Sequence, residues 1–420
     1  MPFPGDLSAD NLRETSCCAV VLFCINRIPQ TMNVFKTLSF VLVCFALKAS
    51  ALGDSLSLTP VFTGGGDGYH TYRIPVMVVT TNGTVLAFCE GRKNGGGDAG
   101  QIDLLLKRSS DCGKNWSPQQ VVWADGNNSC GNPAPVVDRT SGVIWLLMTW
   151  NDGADKEIQI VHQQGRSTRR VFLSHSVDDG LTWFQPVEIT ASVKETNWNW
   201  YATGPANGIQ LVRGPHAGRL VIPCNHSEID GNGHSISCSH VIYSDDHGAT
   251  WHIGGTEQPD TNESTLTELS DGTLMHNMRI TGRQHRRAVA TSKDGGSTWS
   301  PVRFDDALIE PVCEGNIFRC TWPENGGKSR ILFSNPASLK RENLTVRLSY
   351  DEGKTWPVSK TICPGPAGYS SLAVLPDGTI GCLFECGTKN PYETITLARF
   401  PLSWLEDGNS SRNSNIIAPQ

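Results

Sequence analysis

Five copies of one eight-residue phrase constrain this chain more than anything else in it. They run from Ser109 to Trp116, Ser176 to Trp183, Ser244 to Trp251, Ser292 to Trp299 and Ser349 to Trp356. Each reads Ser-x-Asp-x-Gly-x-Thr-Trp, with Asn115 replacing Thr in the first copy. The tryptophans lie 67, 68, 48 and 57 residues apart. That spacing is close to one small antiparallel sheet per copy, which predicts sheets repeated around an axis.

The chemistry of the phrase is that of a tight turn. Asp accepts hydrogen bonds from nearby backbone N–H groups, and Gly takes a positive φ at no steric cost. The hydroxyls satisfy further turn amides, and the Trp supplies a large apolar anchor under the loop. The phrase therefore predicts architecture, a hairpin pinned at one place in successive sheets, rather than a set of ligand sites.

The rest of the sequence agrees with an all-β fold. Apolar runs are short and bounded by turn residues, as in Arg73 to Val79, Val143 to Met148 and Arg219 to Ile222, and no long amphipathic helical pattern occurs. A formal charge of −6 with no block of like charge argues against nucleic acid as a partner. The eleven histidines are scattered without ligand spacing and there is no C-x-x-C pair, so no metal or other cofactor is expected.

The first 51 residues read as a targeting segment. From Met32 the order is a short stretch with Lys36, an apolar run from Leu38 to Leu47, then Ala49-Ser50-Ala51, an A-x-A cleavage pattern. The run is too short for a comfortable membrane span, so no stable span is expected. Residues 52–404 form the predicted globular body, and the Ser/Asn-rich residues 405–420 the predicted disordered tail. Ten cysteines follow residue 51, an even number that suits an oxidising compartment, with Cys224–Cys238 and Cys313–Cys320 as expected local disulfides. Seven N-x-S/T sequons are compatible with glycosylation, with Asn115 and Asn262 expected to stay unmodified.

Three arginines carry the first hint of chemistry: Arg73 in Tyr72-Arg73-Ile74-Pro75, Arg279 in His276-Asn277-Met278-Arg279, and Arg341 in Lys340-Arg341-Glu342-Asn343. A guanidinium in an otherwise apolar strand is costly unless it finds an anion. Three that converge form a clamp for a carboxylate, with planar paired hydrogen bonds that Lys does not reproduce.

These motifs resemble the exo-α-sialidase family. The repeated phrases resemble its Asp-boxes, and Tyr72-Arg73-Ile74-Pro75, Glu90-Gly91-Arg92, Gly97-Asp98-Ala99-Gly100-Gln101-Ile102-Asp103 and Gly365 to Leu372 match its other motifs. The resemblance runs from about residue 58 to residue 404, with animal lysosomal-type and secreted bacterial sialidases as the nearest likeness. It implies a six-bladed β-propeller whose boxes sit at the blade rims, far from the catalytic centre. It implies that Arg73, Arg279 and Arg341 bind the substrate carboxylate and that Arg92 lies on the sugar O4 side. Asp98 takes the acid/base position, with Asp103 as its rival, and Arg347 competes with Arg341.

Tyr369 matches the nucleophile, Glu263 its general base, with Glu268 as the alternative, and Glu385 the carboxylate that orients Arg73. The segment Asn197 to Pro205 is expected to contribute to the rim. The implied activity is retaining hydrolysis of terminal α-linked sialic acids from glycoproteins, oligosaccharides or glycolipids, with a sialylated glycan as the substrate partner and the secretory pathway, secreted or lysosomal, as the location. Two alternatives stand beside it: a non-catalytic propeller that binds sugar or protein, and a trans-sialidase or deaminated-sialic-acid-preferring enzyme. Oligomeric state is not legible.

Overall fold

The computed structural model describes residues 55–282, 284–324 and 327–407. The predicted targeting segment and residues 408–420 lie outside them.

The strands pair into six successive antiparallel meanders. The N-terminal strand β1 (Ser57–Thr63) is set aside by the chain and used last. The first meander runs β2 (Thr71–Val79), β3 (Val85–Arg92), β4 (Ile102–Ser109) and β5 (Gln120–Trp123). The second is β6 (Ser129–Val137), β7 (Ile144–Asn151), β8 (Arg170–Ser176) and β9 (Val187–Glu188). In the third, β10 (Trp200–Thr203) and β11 (Ile209–Gln210) share the edge of β12 (Leu220–Ile229), followed by β13 (Ser235–Ser244) and β14 (His252–Thr256).

The fourth is β15 (Thr261–Glu268), β16 (Leu274–Ile280), β17 (Arg286–Ser292) and β18 (Arg303–Ile309). The fifth takes β19 (Asn316–Thr321), β20 (Arg330–Pro336), β21 (Glu342–Ser349) and the first half of β22 (Val358–Val374). The second half of β22 opens the sixth, with β23 (Ile380–Cys386) and β24 (Thr394–Phe400), and β1 pairs with β24 to complete it. The first strands touch in a closed round: β2 with β6, β6 with β10 and β11, β12 with β15, β15 with β19, β19 with β22, and β22 with β2. Three short helices are peripheral, α1 (Glu157–Val161), α2 (Thr190–Val193) and α3 (Leu402–Glu406).

Each Ser-x-Asp-x-Gly-x-Thr-Trp phrase is the turn from the third strand of a meander to the fourth. In the second meander Ser176 Oγ donates to Asp178 Oδ1 at 2.8 Å and accepts from Gly180 N at 2.9 Å. Asp178 Oδ1 also accepts from Thr182 N at 2.9 Å. The same bonds recur around Asp111, Asp246, Asp294 and Asp351. The box glycine has a second duty. A Cβ on Gly248 would lie 2.2 Å from the Trp145 ring on the preceding meander, and its φ is +92°. Gly113, Gly180, Gly296 and Gly353 face Leu397, Leu86, Val241 and Met275, each again one meander back. The boxes thus key neighbouring sheets together. The sixth meander has no box because its fourth strand comes from the other end of the chain, so it has no such turn.

Two expectations change. All ten cysteines of the described residues are free thiols. In the β12–β13 ladder Cys224 stands opposite His240, and Cys238 opposite His226, so the two thiols are two positions out of register. Cys313 packs with Ile74 and Tyr369, whereas Cys320 borders a separate apolar cluster. The tail boundary also shifts: residues 405 and 406 belong to α3, and Leu405 is fully buried against the fifth and sixth meanders. Asn262 is buried, and so is Asn225, whereas Asn115 is exposed with its side-chain amide bonded to Asp111 Oδ2 at 2.7 Å. No helix among the described residues is long and apolar enough to cross a membrane.

Candidate active site

First strands of the meanders all start at one end of the round, and second strands finish there. Side chains at those positions converge on a cavity of about 340 Å³. Arg73 is the third residue of β2, Glu263 the third of β15 and Tyr369 the third of the second half of β22. Arg92 ends β3, and Arg279 and Glu385 are next to last in β16 and β23. Arg341 immediately precedes the third strand β21, which starts at the same end.

Tyr369 is the centre of the arrangement. Its Oη lies 2.7 and 2.6 Å from the two carboxylate oxygens of Glu263 and accepts from Arg279 Nη1 at 3.0 Å. Arg279 Nη1 also pairs with Glu263 Oε2 at 2.6 Å, and its Nη2 donates to Asn262 Oδ1. Arg73 and Arg341 bring their Cζ atoms to 5.2 and 5.3 Å from the Tyr369 ring centroid. Burial, and then the charge of Glu263, push the phenol's pKa well above its ordinary value, while Arg279, Arg341 and Arg73 oppose them. The phenol is therefore protonated at rest, with an acceptor already in place.

Glu385 sits beneath, fully buried. Its Oε1 accepts from Arg73 Nε at 2.8 Å and Ile74 N at 2.9 Å, and its Oε2 from Tyr369 N at 3.0 Å. One carboxylate thus fixes both a guanidinium and the backbone of the tyrosine. A Cβ at residue 368 would come 2.2 Å from Glu385 Oε2, so the glycine there is required. Ile74 has φ +62°, a strained conformation for a β-branched residue, held by Glu385 on its N–H and by packing on Cys313 and Tyr369. Burial works against the charge of Arg73, but Glu385 outweighs it and the guanidinium's pKa is raised.

Across the cavity Glu90 plays a matching part. Its Oε2 accepts from Arg92 Nη2 at 2.7 Å, and its Oε1 from Asn132 N at 2.9 Å. Arg92 Nη1 bonds Asp98 Oδ1 at 2.7 Å, with Arg73 Nη1 at 3.8 Å from the same oxygen. Asp98 lies on the loop after β3 with its side chain 66% exposed. What burial it has raises its pKa, but Arg92 and then Arg73 outweigh that and hold it below the usual carboxylate range.

Seven of the eight sequence-predicted site residues line this one cavity, and Glu385 supports it from below. The rivals lie elsewhere. Asp103 is buried under Tyr69, whose hydroxyl donates to it at 2.6 Å. Glu268 takes the N–H groups of Val212 and Arg213 at 2.8 and 2.9 Å and borders a different cavity. Arg347 bonds Asn335 Oδ1 at 2.9 Å, off the cavity lining.

Of the expected rim segment only Trp200 reaches the cavity, while Trp198 stacks on His226 and Tyr201 is buried against His240. Residues the sequence did not single out are Glu90, Asn132, Glu157, Arg169 and Tyr392. The hydroxyl of Tyr392 accepts from Arg341 Nη1 at 2.9 Å, and its ring lies 4.1 Å from Arg73 Cζ. Glu90 opens the Glu90-Gly91-Arg92 motif, and Arg169 stands seven residues before its box as Arg341 stands eight before another. Among the described residues no three His, Cys, Asp or Glu side chains gather as a metal site.

Comparison with known proteins gives the same direction. The BNR repeat-like domain family matches residues 75–382. The chain is 34% identical over 413 residues to a sialidase of Micromonospora viridifaciens, covering 91% of this chain but 61% of that protein. It is 32% identical over 375 residues to an exo-alpha-sialidase of Aspergillus fumigatus, covering 82% of this chain and 87% of that one. Among solved structures, the Hadza microbial sialidase Hz136 superposes with a TM-score of 0.73 at 31% identity, over 83% of this chain and 69% of its own.

Proposed function

We propose, for a chain that belongs to the exo-α-sialidase family of glycoside hydrolases, that it removes terminal α-linked sialic acids from glycans with retention, through a tyrosyl-enzyme intermediate on a six-bladed β-propeller. The family membership carries hydrolysis of sialic acids and the mostly-β propeller fold. The observation that carries the finer reading is the Tyr369–Glu263 pair, 2.6 Å apart and ringed by Arg73, Arg279 and Arg341. The six meanders and their closed round support the blade count.

A sialic acid bears a carboxylate on its anomeric carbon. A carboxylate nucleophile would meet its charge at bonding distance, whereas a neutral phenol does not, the known exception to the two-carboxylate pattern. The three guanidiniums bind the substrate carboxylate and orient the ring. Tyr369 Oη attacks the anomeric carbon as Glu263 takes its proton, and the bond to the aglycone oxygen breaks with a proton from Asp98. Asp98, now a carboxylate, then takes a proton from water. The water oxygen attacks the same carbon, the tyrosyl C–O bond breaks, and Glu263 returns the proton to Tyr369.

Asp98 has to be protonated to begin, although Arg92 and Arg73 favour its charged form. The substrate supplies the correction: its carboxylate on Arg73 cancels part of the field that keeps Asp98 ionised. Glu385 acts through Arg73 and the Tyr369 backbone as a positioning residue. Delivery to the secretory pathway belongs to the same proposal.

The test is a time course on a fluorogenic α-sialoside with NMR of the first product. Free sialic acid released as the α-anomer supports the scheme. First release of the β-anomer overturns the covalent intermediate, and no release from any sialoside overturns the enzyme reading.

A further inference from the structure

Five arginines line the cavity, and four have evident duties. Arg73, Arg92 and Arg279 are paired with Glu385, Glu90 and Glu263, and Arg341 bonds Tyr392 and the Val312 carbonyl. The fifth, Arg169, is 5% exposed and has no carboxylate within ion-pair distance among the described residues. Its Nη2 donates to Asn132 Oδ1 at 2.5 Å, and its Cζ lies 3.9 Å from the Trp200 ring centroid. Its Nε is buried with no hydrogen-bond partner.

We propose that Arg169 is a further substrate-binding residue, donating to an uncharged oxygen of the sugar on the wall opposite the carboxylate clamp. The inference rests on the sialidase reading above.

The topology fixes its place. Arg169 immediately precedes β8, the third strand of the second meander, as Arg341 immediately precedes β21, the third strand of the fifth. The second and fifth meanders stand three apart in the round of six. The two arginines therefore hold equivalent positions on opposite sides of one cavity, and both line it.

The setting is rigid. Asn132 Oδ1 also accepts from Thr149 Oγ1 at 3.1 Å, Asn132 N donates to Glu90 at 2.9 Å, and Asn132 O accepts from Thr203 Oγ1 at 2.6 Å. A Cβ at residue 131 would lie 2.3 Å from Glu90 Oε1, so this wall is built tightly around the carboxylate. A guanidinium stacked on an indole and left with unused donors is a costly thing to bury unless a ligand supplies an acceptor.

The charge of the ligand group follows from the neighbours. Burial lowers the Arg169 pKa to about 10, so it is still a cation at neutral pH, and Glu90, Glu157 and Asp98 all contribute negative potential there. A second anion would meet the Glu90 and Glu157 carboxylates even when Asp98 is protonated for the reaction. A hydroxyl or amide carbonyl oxygen accepts from the guanidinium without that repulsion. Sialic acids carry both kinds of oxygen, at the ring hydroxyl, at the amide and along the glycerol side chain.

A substrate–enzyme cycle tests this and identifies the oxygen. Arg169→Met keeps the apolar stem and removes the donors, and its thermal unfolding is compared with wild type to establish that it folds. Both enzymes are assayed on four fluorogenic α-ketosides: the N-acetyl parent, its 4-deoxy analogue, the deaminated analogue with hydroxyl for amide, and one with the glycerol side chain shortened. The expected loss in kcat/KM on the parent is on the order of 10- to 100-fold, the scale of a charge-assisted hydrogen bond. On the analogue that lacks the recognised oxygen, the loss should shrink to less than about threefold. The same loss on all four, or no loss on any, overturns the proposal. Failure of the wild-type enzyme on every ketoside would instead overturn the sialidase reading on which it rests.

Discussion

The two ends of the meanders are built by opposite rules. At the box end, partners are neighbours in sequence: Ser176, Asp178, Gly180 and Thr182 satisfy one another within seven residues. At the cavity end, Arg73 meets Glu385 across 312 positions and Tyr369 meets Glu263 across 106. The box end stabilises itself through local turn geometry, and its long-range contacts reach mainly to the meander before it: the fit of each glycine, and bonds such as Thr84 to Asp179, His247 to Asp138 and Ser270 N to Glu352. The cavity end gathers like-charged guanidiniums and a buried phenol, an arrangement that exists only because the rest of the fold holds it. One end is held by bonds within a few residues, the other by bonds that span the chain.

That contrast is open to direct attack. The largest effect is expected from Tyr369→Phe, which removes one oxygen at the cavity end. Turnover should fall by ~10²–10⁴-fold, the range for loss of a group that exchanges protons in the transition state, while the thermal unfolding midpoint stays near wild type. A variant of near wild-type rate would detach Tyr369 from the chemistry.

Glu385→Ala is expected to affect both properties at once. It leaves Arg73 buried without its carboxylate and frees Ile74 from the bond that holds its strained backbone, so denaturant unfolding should show a loss of about 3–5 kcal/mol with activity falling in parallel. Unchanged stability would mean that the cavity end does not depend on this carboxylate.

Acid should also weaken the two ends at different pH. Beside the cavity end of the third meander, His226 and His240 face each other with Nδ1 atoms 3.0 Å apart. Burial, and then Lys194, lower the His226 pKa from 6.5 to about 3, and burial carries His240 well below its usual value too. The folded state binds fewer protons than the unfolded one between those limits. Their contribution is complete above pH 6.5 and shrinks as pH falls toward 3, and at pH 5 the loss from His226 alone is ~2 kcal/mol.

At the box end Asp111 is held at about 2, mainly by the backbone N–H of Asn115 and then by the side chains of Asn115 and Ser109. Its contribution persists until pH drops below the ordinary carboxylate value. A melting series from pH 7 to 4 should therefore show a decline that a His226→Gln, His240→Gln double variant flattens. An unaltered slope would remove the histidine pair from the account.

The smallest effect is expected from Ser176→Ala, which deletes one hydroxyl from one of five boxes. It should cost about 1 kcal/mol of stability and leave KM and kcat of the folded enzyme unchanged. A selective loss of activity would show the two ends to be coupled.

The sequence and the structure divide along the same line. The boxes were legible because their bonds are local: Ser, Asp, Gly and Thr at fixed offsets dictate a turn whatever surrounds it, and five turns dictate repeated sheets. The closing role of β1 was not, since pairing between Ser57–Thr63 and Thr394–Phe400 leaves no local signal. The expected Cys224–Cys238 bond failed for the related reason that proximity along a hairpin does not fix register. The motif residues Arg73, Arg92, Asp98, Glu263, Arg279, Arg341, Tyr369 and Glu385 could be named from their resemblance to a family. That Glu90, Tyr392, Asn132 and Arg169 share their cavity followed only from strand order.

The amino-acid sequence by itself determined the repeating unit, the turn chemistry that ends each third strand, and the residue types of the proposed carboxylate clamp. Tertiary structure decided which guanidiniums keep a carboxylate and which, like Arg169, are left facing the cavity. The reason is physical: a hydrogen-bonded turn is settled within a few residues, but the charge balance of a cavity is a sum over strands from every part of the chain.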